Sequence, residues 1–140
     1  MKKYIFIVAF MLFSCSVNSQ KMVYRCFEID FQDFFKNDTV SLSINQHQVF
    51  KNEILNSDFS TGMTNVSVRV CFHKKRGFVE YKSKSFEIDN LSQPVILKVH
   101  INGILNEYII NLKQGEYIGL SMKRNGGLNI YQSKIPFEYE

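Results

Sequence analysis

The 140-residue chain carries 17 Lys and Arg against 13 Asp and Glu, a formal net charge of +4 at pH 7, and 45% of its residues are hydrophobic. That apolar fraction excludes a solvated, disordered chain, and the length suits one domain with one core rather than two. Two of the cations, Lys2 and Lys3, lie in a targeting segment, and without them the charge falls to +2; so near-neutral a surface offers no basis for a nucleic-acid partner.

The chain opens on Met1-Lys2-Lys3, an apolar run from Tyr4 to Phe13 and the small polar stretch Ser14-Cys15-Ser16-Val17-Asn18-Ser19. This order predicts a signal peptide over residues 1–19, cut after Ser19 to leave Gln20 as the new N-terminus. The 10 apolar residues rise only about 15 Å as a helix, half a hydrocarbon core, so they do not predict a membrane span. Leu12-Phe13-Ser14-Cys15 supports a second reading, a lipoprotein signal over residues 1–14 with Cys15 acylated. Either way the protein is expected to be exported, to the periplasm, the cell surface or beyond, free or lipid-anchored. Residues 20–140 are expected to form a single domain.

Beyond the leader, apolar and polar residues alternate with period two, the pattern of half-buried strands. Phe27, Ile29 and Phe31 face inward in the first block. Val40, Leu42 and Ile44 follow, then Val66, Val68, Val70 and Phe72, then Val95, Leu97, Val99 and Ile101. Tyr108, Ile110 and Leu112 repeat the phase, as do Ile118, Leu120 and Met122. Val49 to Leu55 is read as a strand, although Val49, Phe50, Ile54 and Leu55 would equally line a short helix. Turn chemistry separates the blocks: Asn37-Asp38 ahead of Val40, Asp89-Asn90, Gln114-Gly115, Asn125-Gly126-Gly127 and, as the strongest hairpin signal, Asn102-Gly103. Pro94 and Pro136 fall where strands are expected to start. Eight to ten short strands at this spacing predict an all-β domain: an antiparallel β-sandwich of immunoglobulin-like or C2/jelly-roll-like type, or alternatively a small β-barrel.

Cysteine phase carries the next expectation. Cys26 and Cys71 both fall on the polar phase of their strands, so they could bridge if those strands are neighbours; otherwise they are unpaired thiols. Cys71, His73, His100 and Cys26 share that phase and are weak candidates for a zinc site, although no Cys-x-x-Cys or close His pair supports one. Asp30, Asp33 and Asp38 gather near a strand end as weak calcium candidates, but Asn and Asp are ordinary turn residues. Three Asn-x-Ser/Thr triplets at Asn37, Asn65 and Asn90 are read as turns too, and Lys74-Lys75-Arg76 as a solvated turn. No Gly-x-Ser-x-Gly elbow or Gly-rich phosphate loop is present, and no cofactor or catalytic residue is assigned. Among recognition residues, Tyr24, Tyr81, Tyr131 and Tyr139 are candidates for stacking on sugars. The run Ile130 to Glu140 is either the last strand of the sandwich or an edge offered to a partner.

The ending Ser16-Val17-Asn18-Ser19-Gln20, with a Phe-, Asn- and Lys-rich all-β domain after it, resembles small exported β-sandwich proteins of Bacteroidota. That resemblance implies a place at the cell surface or in the periplasm, but carries over no functional residue. The resulting expectation is a non-enzymatic binding or accessory module that recognises a protein or glycan outside the cytoplasm. The alternatives are an envelope-anchored structural lipoprotein and, least favoured, a small secreted hydrolase.

Overall fold

The computed structural model describes residues 21–91 and 93–139; the leader and the acylation candidate Cys15 lie outside them. Ten strands form: β1 Arg25–Phe31, β2 Lys36–Ile44, β3 His47–Asn56, β4 Val66–His73, β5 Arg76–Tyr81, β6 Lys84–Ile88, β7 Val95–Ile101, β8 Ile104–Ile110, β9 Tyr117–Met122 and β10 Leu128–Ser133. They make a six-stranded sheet ordered β10-β9-β1-β4-β5-β6 and a four-stranded sheet ordered β3-β2-β7-β8. Both sheets keep free edges, so the domain is a β-sandwich and the barrel alternative falls. Among the described residues no helix is long and apolar enough to cross a membrane.

The alternation read from the sequence produces the core directly. Phe27, Ile29, Phe31, Val40, Leu42, Ile44, Val68, Val70, Leu97, Val99, Ile118 and Leu120 are all buried between the sheets. Removing that apolar surface from water is the main favourable term in folding. The Asn102-Gly103 hairpin joins β7 to β8 with both residues at positive φ, as a two-residue turn of the twist-matching kind requires. Asn37, Asn65 and Asn90 also sit at positive φ, a region that Asn tolerates better than most residues; Asn65 and Asn90 lie between strands, as their turn reading expects, whereas Asn37 lies inside β2.

Three sequence expectations are corrected, and the strand reading of Val49 to Leu55 holds over the helical one: the segment lies in β3, whose register against β2 shifts three times. Those bulges bury the consecutive pair Val49 and Phe50 together, which mimics helical spacing in the sequence. Asn37-Asp38 does not precede a strand but lies inside β2 at the first of these shifts. The sandwich is not wholly antiparallel, because β1 pairs with β9 in parallel, Glu28 opposite Tyr117 through Phe31 opposite Leu120. Pro136 starts no strand: β10 ends at Ser133, whose Oγ accepts a hydrogen bond from the Ile135 amide and turns the chain.

Past that turn, residues 134–139 leave β10 and bring Tyr139 to Gln32, whose Nε2 donates to the Tyr139 hydroxyl at 2.8 Å. The Gln32 side chain lies directly over Gly119, where an added Cβ would stand 2.6 Å from Gln32 Nε2. Gly119→Ala is therefore expected to push Gln32 aside, release Tyr139 and destabilise the domain by about 1–3 kcal/mol, the usual cost of overpacking. Urea denaturation of the variant measures the loss, and an unchanged midpoint would show that Gln32 swings away freely.

Candidate functional site

On the outer face of the larger sheet, register places Cys26 of β1 directly opposite Cys71 of β4, and Cys71 directly opposite Phe78 of β5. The two cysteines form a disulfide, S–S 2.04 Å with the Cα atoms 4.0 Å apart. The polar-phase reading of both residues is thus correct in direction, and of the two alternatives the bridge holds. Although it points away from the core, Cys71 is only 5% exposed, because the neighbouring side chains close over it.

Beside the disulfide lies an open cleft of about 560 Å³, lined by Met22, Tyr24, Phe78, His73 and the hairpin residues between β4 and β5, with Glu87 and Asp89 on the far wall. Its floor is aromatic. The Tyr24 ring meets Phe78 edge-on at 5.7 Å between centroids and His73 at 6.1 Å. Such edge-to-face pairs are favoured by the ring quadrupoles. His73 Nδ1 donates to the Val23 carbonyl at 3.0 Å, which ties the segment before β1 to the end of β4. Lys74, Lys75 and Arg76 form the rim. Arg76 faces Asp89 at 3.8 Å, but both side chains are largely exposed, so this pair is screened and contributes little to stability. Gly77 permits the close approach of β5 at the inner wall, since a Cβ there would stand 2.6 Å from the Cys71 carbonyl.

The sequence candidates are distributed differently. Tyr24 is in the cleft, and Lys74-Lys75-Arg76, an exposed turn as the sequence reading has it, also forms its rim. Tyr81 is corrected: it is 6% exposed and stacks on Phe50 in the core. Tyr131 is exposed on β10, and Tyr139 is engaged with Gln32. The zinc set does not assemble. Cys26 and Cys71 have no thiolate to offer while bonded to each other, and His73 and His100 belong to different sheets. The calcium set does not converge either: Asp38 accepts from the Lys36 amide and from Asn102 Nδ2, holding the β2 bulge to the β7–β8 hairpin. Among the described residues no group of three or more His, Cys, Asp or Glu side chains is placed to hold a metal ion. Phe78 was missed, yet it was visible as an aromatic on the polar phase of Arg76, Phe78 and Glu80.

Asp30, the innermost of the calcium candidates, is 8% exposed on β1. Burial raises its pKa above the ordinary 3.8, a hydrogen bond with Ser67 partly offsets this, and the neighbouring Glu28 carboxylate adds to the rise. A carboxyl with a raised folded-state pKa costs stability once ionised, and the cost fades as pH falls from that raised value toward 3.8. Asp30→Asn is therefore expected to be more stable than the parent at neutral pH, with the advantage gone in melts below 3.8. A variant less stable at neutral pH would show that the Ser67 bond outweighs burial.

The fold and its cleft define a ten-stranded β-sandwich with an aromatic, cation-rimmed surface hollow. No protein-family model, no curated protein and no solved structure matches the chain.

Proposed function

We propose that the protein is an exported, non-enzymatic binding module that recognises a protein or glycan outside the cytoplasm, with the Tyr24–His73–Phe78 cleft as its recognition site. The observation that carries this reading is the floor of the cleft, where Tyr24, 46% exposed, is held against both His73 and Phe78, with Lys74 and Lys75 on the rim and Arg76 paired to Asp89. Of the two ligand classes, a glycan bearing carboxylate or sulfate groups fits best. The C–H face of a sugar ring packs on Tyr24 and Phe78, while its acidic groups meet Lys74 and Lys75. The volume falls in the range of small-ligand sites, about 300–1,000 Å³.

The disulfide supports the compartment, because such bonds persist where the surroundings are oxidising. The histidines support a binding role over hydrolysis: His73 and His47 each direct a ring nitrogen at a backbone carbonyl, of Val23 and of Asp89. Intact mass of the processed protein separates a free Gln20 terminus from an acylated Cys15, and either outcome leaves the cleft in place.

A glycan array containing neutral and acidic oligosaccharides, followed by titration of the best hit, tests the reading. Tyr24→Ala is expected to weaken binding about tenfold or more, as loss of a central aromatic anchor does, with the circular dichroism spectrum unchanged. Lys74→Glu with Lys75→Glu should weaken acidic ligands selectively. Silence on the array, or a hit indifferent to Tyr24, would remove the cleft from consideration.

A further inference from the structure

A sheet edge is a row of unpaired backbone donors and acceptors, and folded proteins defend it with bulges, charges, short strands or cover. The sandwich has four edges: β10, β6, β3 and β8. The first three are defended. Edge strand β3 is broken by register shifts against its neighbour and carries Lys51, exposed, and Asn52 at positive φ. Only five residues long, β6 follows a turn through Lys82 and begins at Lys84. In β10 the Leu128 carbonyl already accepts a hydrogen bond from the Tyr108 hydroxyl.

The β8 edge is the least defended: its one charge, Glu107, is paired with Lys98 of β7. It runs seven residues, Ile104–Ile110, without Pro, Gly, Lys or Arg, in unbroken register with β7. Ile96 of β7 exchanges bonds with Asn45 on the β2 side, so alternation turns Leu97 and Val99 toward β8, where they meet Tyr108 and Asn106. The amides and carbonyls of Leu105, Glu107 and Ile109 therefore point out of the sheet. Around them Ile104 is 69% exposed, Leu105 50% and Ile109 70%. A hollow between Tyr108, Ile110, Ile130 and Gln132 opens on the same side.

We propose that β8 pairs antiparallel with β8 of a second copy of this chain, joining the two four-stranded sheets into one across a two-fold axis at Glu107. What selects a second copy as the occupant is the strand's own near-palindrome, Ile104-Leu105-Asn106-Glu107-Tyr108-Ile109-Ile110. Centred on Glu107, it sets Leu105 against the partner's Ile109 on the outer face. On the inner face it sets Ile104 against the partner's Ile110 and Asn106 against the partner's Tyr108. Apolar cross-strand pairs of this kind stabilise sheets. The same register matches all three outward-pointing residues, Leu105, Glu107 and Ile109, to one another. The single like-charged pair, Glu107 with the partner's Glu107, is flanked on both sides by Lys98, which already holds Glu107 at 3.4 Å. Such an interface is isologous, so it closes at two copies rather than growing into a filament.

The test is sedimentation and light scattering of the processed protein over a concentration series, where a monomer–dimer equilibrium is expected. Glu107→Pro removes an amide that the monomer does not use, at an edge where proline is tolerated, and should raise the dimer dissociation constant about 30-fold or more. Ile109→Lys, at a position exposed in the monomer, should do the same without depending on proline. Glu107→Cys should form a covalent dimer on air oxidation, because hydrogen-bonded antiparallel partners stand about 5.5 Å apart, within disulfide reach; Ser85→Cys, on the outer face of the other sheet, should not. A monomer at every concentration overturns the proposal, as does a dimer indifferent to both Glu107→Pro and Ile109→Lys. Cross-linking through Glu107→Cys no greater than through Ser85→Cys overturns the register.

Discussion

Replacing Phe31 by alanine is expected to lower the unfolding free energy by about 3–5 kcal/mol, the range for truncating a buried aromatic. Phe31 is fully buried at the end of β1, edge-on to Phe35 at 5.8 Å and to Phe50 at 5.7 Å. Phe50 in turn stacks on Tyr81 at 4.8 Å. Because Phe31 and Tyr81 belong to one sheet and Phe50 to the other, this file of rings ties the two layers together. Alanine removes the ring that links Phe35 to Phe50 and leaves a void that neither backbone can collapse into without disturbing its ladder. Phe31→Leu retains most of the volume and should cost about 1.5 kcal/mol or less. Urea denaturation of the three proteins checks the ranking; equal losses for alanine and leucine would mean that edge contacts, rather than filled space, dominate.

Removing the covalent bridge is the second large effect. Cys26 and Cys71 enclose a separation of 45 residues, for which the chain-entropy estimate of cross-link stabilisation is about 4 kcal/mol. The double variant Cys26→Ser, Cys71→Ala is expected to lose about 2–4 kcal/mol, with alanine chosen at the buried position to avoid stranding a hydroxyl. Reducing the parent protein should shift its urea midpoint to match, while the variant should ignore the reductant. A parent midpoint insensitive to reduction would contradict the assignment of stability to this bond. Ligand binding should weaken alongside. Tyr24 precedes Cys26 by two residues and His73 follows Cys71 by two, so one bond pins β1 and β4, the strands beside two of the three floor rings.

The sequence announces the layers of this fold but not their order. Period-two alternation in Val66-Ser67-Val68-Arg69-Val70 settles which side chains turn inward, because strand geometry alone decides it. It places Cys26 and Cys71 on the outer face for the same reason. Whether those two meet depends on β1 lying beside β4, and adjacency is a property of the whole sheet that no local pattern encodes. The bulges of β3 show the converse: Val49-Phe50 departs from alternation because an irregular ladder, invisible in one strand's sequence, buries neighbours together. The cleft was half legible. Tyr24 and Lys74-Lys75-Arg76 stood out by composition, but their convergence on Phe78 required the register of three strands.

The parallel pairing of β1 with β9 has a consequence for the order in which the polypeptide matures. During synthesis β1 is made well before β9, yet β1 ends up in the interior of the larger sheet, with β9 at its flank. Contacts so distant along the chain form slowly, since a long loop must close before they return any stability. A nascent chain that stops short of Tyr117 therefore holds a central strand open on one side. Closure of the larger sheet around β1 waits on β9, the neighbour that covers its second side.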